Sequence, residues 1–365
     1  MKTYDFAIIG AGIAGASLAA ELGQHGAHVL LLEAEDQPGY HATGRSAAFW
    51  DECYGGPEIV PLTLASGAYL RDHGFLTKRG ALYIGRQSDE DRLASFMDRF
   101  SDTGAGIERV GASMLQARVA GLRTDWTGGI WEPACADIDV AGLHAHFLAL
   151  CRAEKVDLEC RAAFKTADRI KNSWRLDCGR AGMFAASVLV NAAGAWADDV
   201  AVRVGASAIG IQPLLRTVVQ LRTDPAPAPD QPLVLDISGN FYFKPEAGRL
   251  WLSPHDETPS EPCDAAPEEL AVATAIHRLE QVVNWKVEAV EKRWAGLRSF
   301  APDRLPIYGF DPRVEGFAWF AGQGGFGIQT SPAAARLVAQ LLLGEPRDEM
   351  TRCLDASLYD PSRFY

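Results

Sequence analysis

Gly10, Gly12 and Gly15 stand in the spacing G-x-G-x-x-G, and Glu33 follows 18 residues after the last of them. In a strand–turn–helix unit each glycine has a task. The first permits a tight turn, the second lets backbone approach a pyrophosphate, and the third lets helix pack closely on strand. The helix N-terminus adds unpaired N–H groups and partial positive charge for the phosphates. A carboxylate at Glu33 is placed to accept hydrogen bonds from ribose hydroxyls. The chemistry is dinucleotide binding.

The surrounding residues supply the elements this requires. Phe6-Ala7-Ile8-Ile9 is a short apolar run of the kind found in buried parallel strands, and Ala16 to Gln24 follow a helix-compatible pattern. Val29-Leu30-Leu31-Leu32 is a second apolar run ending at Glu33, with Gly26 suited to the helix C-terminus before it. Strand before, helix after and acid beyond turn a common glycine spacing into a specific one. A secretory signal is rejected, because Asp5 and Glu21 interrupt the apolar stretch.

Composition bounds the class. The 365 residues suit two domains, and 48% hydrophobic with 22% charged residues describe an ordinary globular chain. A net charge of -12 disfavours nucleic-acid binding and anionic membranes. No apolar stretch reaches membrane-spanning length. The seven cysteines are odd in number and lack C-x-x-C spacing, which points to a reducing cytoplasm and away from zinc, any other metal centre or a disulfide framework.

Further along, Thr43-Gly44-Arg45-Ser46-Ala47-Ala48 reads equally as a loop beside a ligand or as a plain surface loop. Residues 57 to 75 read as helix, Arg79 to Ile84 as strand, 88 to 120 as amphipathic helix with loops, and Gly129 to Pro133 as a return to a sheet edge. Val140 to Lys155 is a helix with Asp139 as N-cap. Strands are expected at Asp157 to Cys160, Trp174 to Cys178 and Phe184 to Val190, the last leading into the small-residue stretch Asn191 to Trp196. Gln212 to Arg222 and Leu233 to Lys244 are strand-rich, with a turn at Gly239-Asn240, and 267 to 283 reads as helix. A second strand–glycine–helix unit closes the pattern. Phe317 to Phe320 is its strand, Gly322 to Ser331 its loop, and Pro332 to Leu343 its helix. That loop is either a structural turn or a helix N-terminus aimed at a ring carrying negative charge.

The N-terminal glycine motif with Glu33, the Thr43 to Ala48 loop, Asn191 to Trp196 and Gly324 to Ser331 together resemble the D-amino-acid oxidase / glycine oxidase family of flavoproteins, most nearly its D-arginine dehydrogenase type. Trp294 to Phe300 and Phe241 to Pro245 extend the resemblance over most of the chain. It implies an α/β fold: a glutathione-reductase-like Rossmann domain for FAD, built from residues 1-80, 140-205 and 295-365. An α+β substrate domain with an antiparallel sheet, residues 81-139 and 206-294, is inserted into it.

By the same resemblance the adenine half of FAD would lie over Gly10, Gly12, Ile13, Ala14 and Gly15. Its ribose would sit on Glu33 and Ala34, with backbone near Phe164 meeting the adenine. The isoalloxazine would be approached by Arg45, Ser46, Ala47 and Ala48, by Ala193, Gly194 and Trp196, by Arg298, and by Gly324, Gly325, Phe326, Gly327, Ile328, Gln329 and Thr330. Covalent relatives use a cysteine in the C-terminal part; none lies between Cys263 and Cys353, so FAD is expected to be dissociable.

The implied reaction is hydride transfer from Cα of an amino acid to flavin N5, giving an imino acid that hydrolyses to a 2-oxo acid. Arg216 and Arg298 would hold the α-carboxylate, Tyr242 would add a hydroxyl, and Tyr54 would be a lid or wall. Taken without the resemblance, each Arg is more often a surface cation and each Tyr more often a packing residue. The arginine-specific type carries His directly after Arg-Ser-Ala-Ala and Glu in the strand corresponding to Arg79 to Ile84; this chain has Phe49 and Ala81. A cationic side chain would lack its carboxylate partner. Phe49 and Trp50 suggest an apolar pocket; Asp51 and Glu52 could restore negative charge from a neighbouring position, although a solvated loop is the more common reading for both. Neutral or hydrophobic D-amino acids follow as the expected substrates. The alternatives are a glycine- or sarcosine-type oxidase producing hydrogen peroxide, and a flavoprotein that oxidises no amino acid. The electron acceptor (oxygen, a quinone or a dye-like molecule) is left open.

Overall fold

In a computed structural model, which describes residues 2–365, the chain is organised by two large sheets. Strand β1 (Thr3–Ile9) lies at the centre of the first. It runs parallel to β2 (Val29–Leu32) on one side and to Met183–Asn191 on the other. Asp157–Glu159 extends the sheet beyond β2, and Phe317–Ala321 adds a further parallel strand beside Met183–Asn191. Because helices cover both faces, the parallel strands are apolar on both: Ala7, Ile8, Leu30 and Leu31 are fully buried. Each buried Ile or Leu side chain contributes about 1.5–3 kcal/mol to burial free energy.

Helix α1 (Ile13–Gln24) connects β1 to β2. It is apolar nearly all round, with Ala16, Leu18, Ala19 and Leu22 inaccessible. That fits its position between Val140–Ala153 and Ser331–Leu343, both of which pack on it. Asp139 caps Val140–Ala153 as expected, accepting from the Gly142 amide at 2.8 Å. Ser331–Leu343 carries Pro332 in its first turn and ends at Gly344 in the left-handed conformation.

The second sheet is mixed and mainly antiparallel. Its long strands Gln212–Asp224 and Lys286–Phe300 pair along most of their length, with two register shifts. The sheet continues through Arg249–Ser253, Tyr242–Glu246, Leu233–Asp236, Ala81–Arg86, Trp126–Glu132 and Glu108–Gly111. One sequence expectation is corrected: Trp126–Glu132 is not an edge strand but is paired on both sides. The region Leu233 to Lys244 is, as expected, two strands joined by the turn at Gly239-Asn240. Lys286–Phe300 runs unbroken across the expected domain boundary at 294/295, and Gln323–Gly324 pairs with its end. The two sheets are thereby tied together where the last glycine loop begins. A small third sheet joins Phe49–Trp50, Ala136–Ile138 and Leu76–Lys78. Among the described residues no helix is long and apolar enough to cross a membrane, and all seven cysteines are free.

Candidate active site

A cavity of about 490 Å³ runs from the end of β1 to the face of the second sheet. At one end Gly10, Gly12, Ile13 and Ala14 line it, with Glu33 and Ala34 beside them. Gly10 has a φ of +102°, and a Cβ there would lie 2.6 Å from the Ala192 carbonyl oxygen. A Cβ on Gly15 would fall 1.8 Å from the Gly10 oxygen. Gly15 is therefore a packing residue within the turn and does not reach the cavity. Helix α1 has neither a side-chain cap at Gly12 nor an acid in its first turn, which leaves its N-terminus receptive to anions. Thr43 Oγ1 accepts from the Ile13 amide at 2.9 Å and fixes the following loop against the helix. Glu33, nearly buried, accepts from the amides of Ala11 (3.1 Å) and Glu35 (3.0 Å). Ionised carboxylates suit such amide contacts, and each oxygen retains lone-pair capacity for a ribose.

The middle of the cavity is formed by small residues. Ser46, Ala47, Ala48, Ala193 and Gly194 line it, with Gly194 at φ +55° facing open space. Trp196 lines it beside His41, the two rings 4.7 Å apart, and Phe164 lines the nucleotide end. Arg45 borders the cavity, but its guanidinium is engaged by Asp264 and by the Ala265 carbonyl oxygen at 2.8 Å. Gly324, Gly325, Gly327 and Ile328 also line it. Phe326, Gln329 and Thr330 do not; their side chains are engaged by protein groups instead. Gln329 brackets the backbone of Asp51, its Oε1 accepting from the amide and its Nε2 donating to the carbonyl. Thr330 donates to the Phe326 carbonyl oxygen, one helical turn back, and Phe326 packs on Tyr54.

The far end carries the charged cluster. Arg298 Nη1 donates to the Tyr54 hydroxyl at 3.1 Å, and Nη2 donates to Glu257 at 2.9 Å. Arg216 Nε donates to the Asp256 carbonyl oxygen at 3.1 Å, and its guanidinium lies 5.7 Å from the Tyr242 ring centre. Two buried guanidinium nitrogens, Arg216 Nη2 and Arg298 Nε, have no hydrogen-bond partner among the described residues, although Arg216 Nη2 lies 3.8 Å from Glu257 Oε1. Burial and the neighbouring Arg298 push the pKa of Arg216 down. Arg298 is raised although burial opposes it, because Tyr54 and Glu257 outweigh that cost. Arg304 also binds Glu257 at 2.9 Å, so three guanidiniums meet Asp256 and Glu257 with one positive charge in excess. Unpaired buried donors and excess positive charge call for one anionic group.

Phe49, Leu235 and Tyr242 form the apolar side of this end. Phe49 packs on Tyr54 and Tyr242 at 5.8 and 5.6 Å. Trp50 and Ala81 are buried but do not line the cavity. Asp51 and Glu52 are also buried, which corrects the solvated loop expected there. Asp51 accepts from Tyr83 Oη at 2.5 Å and from the Cys53 amide at 2.9 Å; Glu132 faces it and accepts from the Glu52 amide at 2.8 Å. Burial raises both carboxyls, and the Asp51 charge raises Glu132 further. With more donors directed at Asp51, the proton belongs on Glu132, where it also gives a role to the otherwise unpartnered Oε2. Asp51, Cys53 and Glu132 bring three possible ligand atoms within 4.8 Å of one another. The Cys53 thiol is pushed well above its ordinary value by burial and these carboxyls, so the group is built to share protons rather than to hold a cation.

The sequence reading missed His255, Asp256 and Glu257. They follow the strand Arg249–Ser253 in a charged turn, Pro254 to Glu257, and that composition was the available signal.

Comparison with known proteins agrees with this arrangement. A family profile described as "DAO: FAD dependent oxidoreductase" matches residues 5–341. The chain belongs to this family of FAD-dependent oxidoreductases. Among curated proteins it is 26% identical over 362 residues to the glycine oxidase of Geobacillus kaustophilus (strain HTA426), covering 93% of each chain. The crystal structure of glycine oxidase from Geobacillus kaustophilus superposes with a TM-score of 0.86 at 23% identity, covering 99% of this chain and 98% of that one. L-proline dehydrogenase from P. horikoshii gives 0.86 at 20% identity, covering 100% and 98%. FAD is the cofactor of the family, and the cavity fits it: a helix N-terminus with no acid in its first turn and an amide-bound acid lie at one end, with a small-residue channel leading from them.

Proposed function

We propose that the protein oxidises the amine of a D-amino acid, or of a related amine acid, to the imino acid, which water converts to the 2-oxo acid. The cluster of Arg216, Arg298, Tyr54 and Tyr242 in the same cavity as the nucleotide-binding loop carries this reading. Its excess of one positive charge suits one α-carboxylate. Bound FAD supplies the two-electron acceptor. The chain's own residues orient the substrate: the guanidiniums hold the carboxylate, Tyr54 keeps Arg298 in place, and Phe49 and Tyr242 exclude water from the reacting carbon. Phe49, Leu235 and Tyr242 favour neutral or hydrophobic side chains, because the buried acids Asp51 and Glu132 lie outside the cavity lining. FAD would be held by Gly10 to Ala14, Glu33, Ala34, Ser46 to Ala48, Ala193, Gly194, Trp196 and the Gly324–Ile328 loop, without a covalent bond.

The similarity to glycine oxidase favours a second reading, an oxidase of glycine or N-substituted glycines that releases hydrogen peroxide. Product analysis separates the two. D-amino acids consumed with release of ammonia and a 2-oxo acid support the first. Turnover confined to glycine and its N-substituted forms moves the assignment to the second.

A further inference from the structure

His255 lies at the charged end of the cavity, and neither hydride transfer nor carboxylate binding as described gives it a task. Its backbone is left-handed, with φ +56°, a conformation a non-glycine residue adopts only where its surroundings impose it. The surroundings do so here. The His255 amide donates to Ser253 Oγ at 3.1 Å, and Arg278 binds the carbonyl oxygens of Asn240 and Pro254 on either side of the turn. The ring stands edge-on to Tyr242 at 5.7 Å, and Nδ1 lies 2.9 Å from the Gly239 carbonyl oxygen. A carbonyl only accepts, so Nδ1 carries the proton and Nε2 holds a lone pair. Nε2 has no hydrogen-bond partner among the described residues and is not sealed in the interior.

We infer that His255 Nε2 accepts the proton that the substrate ammonium must lose before its amine can be oxidised. The inference rests on the amino-acid reading above. The transfer is balanced within the site. The N–H bond of the ammonium breaks, its electron pair stays on nitrogen as the lone pair needed to form C=N, and a new N–H bond forms at Nε2. No oxidant is involved in this step.

The electrostatics make the step conditional on substrate. Burial, then Arg216 and Arg298, hold the pKa of His255 down at about 3, with Glu257 and the Gly239 carbonyl opposing them. The groups facing the ring are those two guanidiniums from the paired long strands, Tyr242 from its own strand, and Glu257 from the same turn, while the Asp256 carboxylate is held by Thr217. A carboxylate seated on the Arg pair cancels part of the field that suppresses His255. Such an opposite charge moves a pKa by about 1–3 units. The same surroundings disfavour the ammonium, so acid and base approach each other once the substrate is bound. An empty site keeps the imidazole neutral.

Two measurements on the FAD-loaded, oxidised protein test this. The first is a histidine NMR titration with and without propionate, a carboxylate that has no amine, with His255 assigned by its loss in His255→Asn. Propionate is expected to raise the His255 pKa by about 1–3 units. An unmoved resonance in the presence of bound propionate overturns the inference. The second is the pH profile of anaerobic flavin reduction by an amino acid that bleaches the wild type. In His255→Asn the rising limb should shift up towards the pKa of the free amine, with rates converging at high pH. A purely structural residue would lower the rate by one factor at every pH, and that result overturns the proposal. Should His255→Asn fail to fold, His255→Gln is measured in its place. Failure of every amino acid to bleach the wild type removes the amino-acid reading and this inference together. Bleaching with an unaltered pH profile removes the inference alone.

Discussion

Arg298 is the residue on which the substrate assignment depends. It binds Tyr54 and Glu257 at once, and its side chain is only 12% exposed. Replacing it by Ala would leave Glu257 to Arg304 and the substrate carboxylate to Arg216. Arg298→Ala is expected to raise the barrier to amine oxidation by roughly 2–5 kcal/mol, the cost of halving a desolvated charge pair. Stopped-flow reduction together with flavin absorbance checks this, since FAD content should stay at the wild-type level. Unchanged reduction kinetics would take Arg298 out of the site. The chemistry of this residue was legible in the sequence only through the family resemblance. An isolated Arg carries no mark of burial, whereas strand pairing sets Arg216 opposite Gly296 and Leu214 opposite Arg298, bringing the two guanidiniums to one cavity. His255 was illegible for the same reason: its partners Gly239, Arg216 and Arg298 are brought together only by the sheet.

At the scale of the element, the β1–α1 turn was the most legible part of the molecule, because its contacts are local. Gly15→Ala sets a methyl against the backbone oxygen of Gly10, which no side-chain movement relieves. Overpacking of this kind costs about 1–3 kcal/mol, and it displaces the helix N-terminus from the nucleotide. Equilibrium dialysis should show weakened FAD retention, and full retention would contradict the close-packing role given to Gly15. The loop end Gly327–Thr330 was legible as a glycine loop but not in its division of labour. Gly327 and Ile328 face the cavity, whereas Gln329 turns inward to hold Asp51, a partner 278 positions away. Asp51 and Glu52 were misread as solvated because the two charges sit beside one another in sequence. In the fold they are enclosed by Tyr83 and by Glu132, which a sheet register opposite Ala81 brings to the same side. Its raised carboxyl pKa has a thermodynamic consequence. The folded state keeps a proton on Glu132 that the unfolded chain releases above about pH 4.3, so stability falls as pH rises from there towards the raised native value. Glu132→Gln, which donates to Asp51 without titrating, should raise the thermal midpoint more at pH 8 than at pH 5. Equal shifts at both values would mean that the pair does not share a proton.

At the scale of the molecule, the two sheets divide the work. The first sheet, parallel at its centre, carries the glycine loop and Glu33, and the second carries Arg216, Tyr242 and Arg298. Lys286–Phe300 and Gln323–Gly324 pair across their meeting point, and the cavity lies along it. Ligand sites favour such junctions because two rigid frameworks can each fix half of the chemistry. The alternation of strand and helix near both chain ends made the first framework readable from periodicity. The second consists of long-range antiparallel pairings whose register no local pattern specifies.

The most direct measurement is anaerobic bleaching of the flavin. The purified protein is loaded with FAD, its absorbance recorded, and D-, L- and N-methyl amino acids added without oxygen. Rapid loss of the oxidised flavin band with neutral or hydrophobic D-amino acids, and a slow or absent response to cationic ones, is the predicted result. A flavin that remains oxidised against the entire panel would leave the fold and the cofactor standing and contradict the amino-acid assignment.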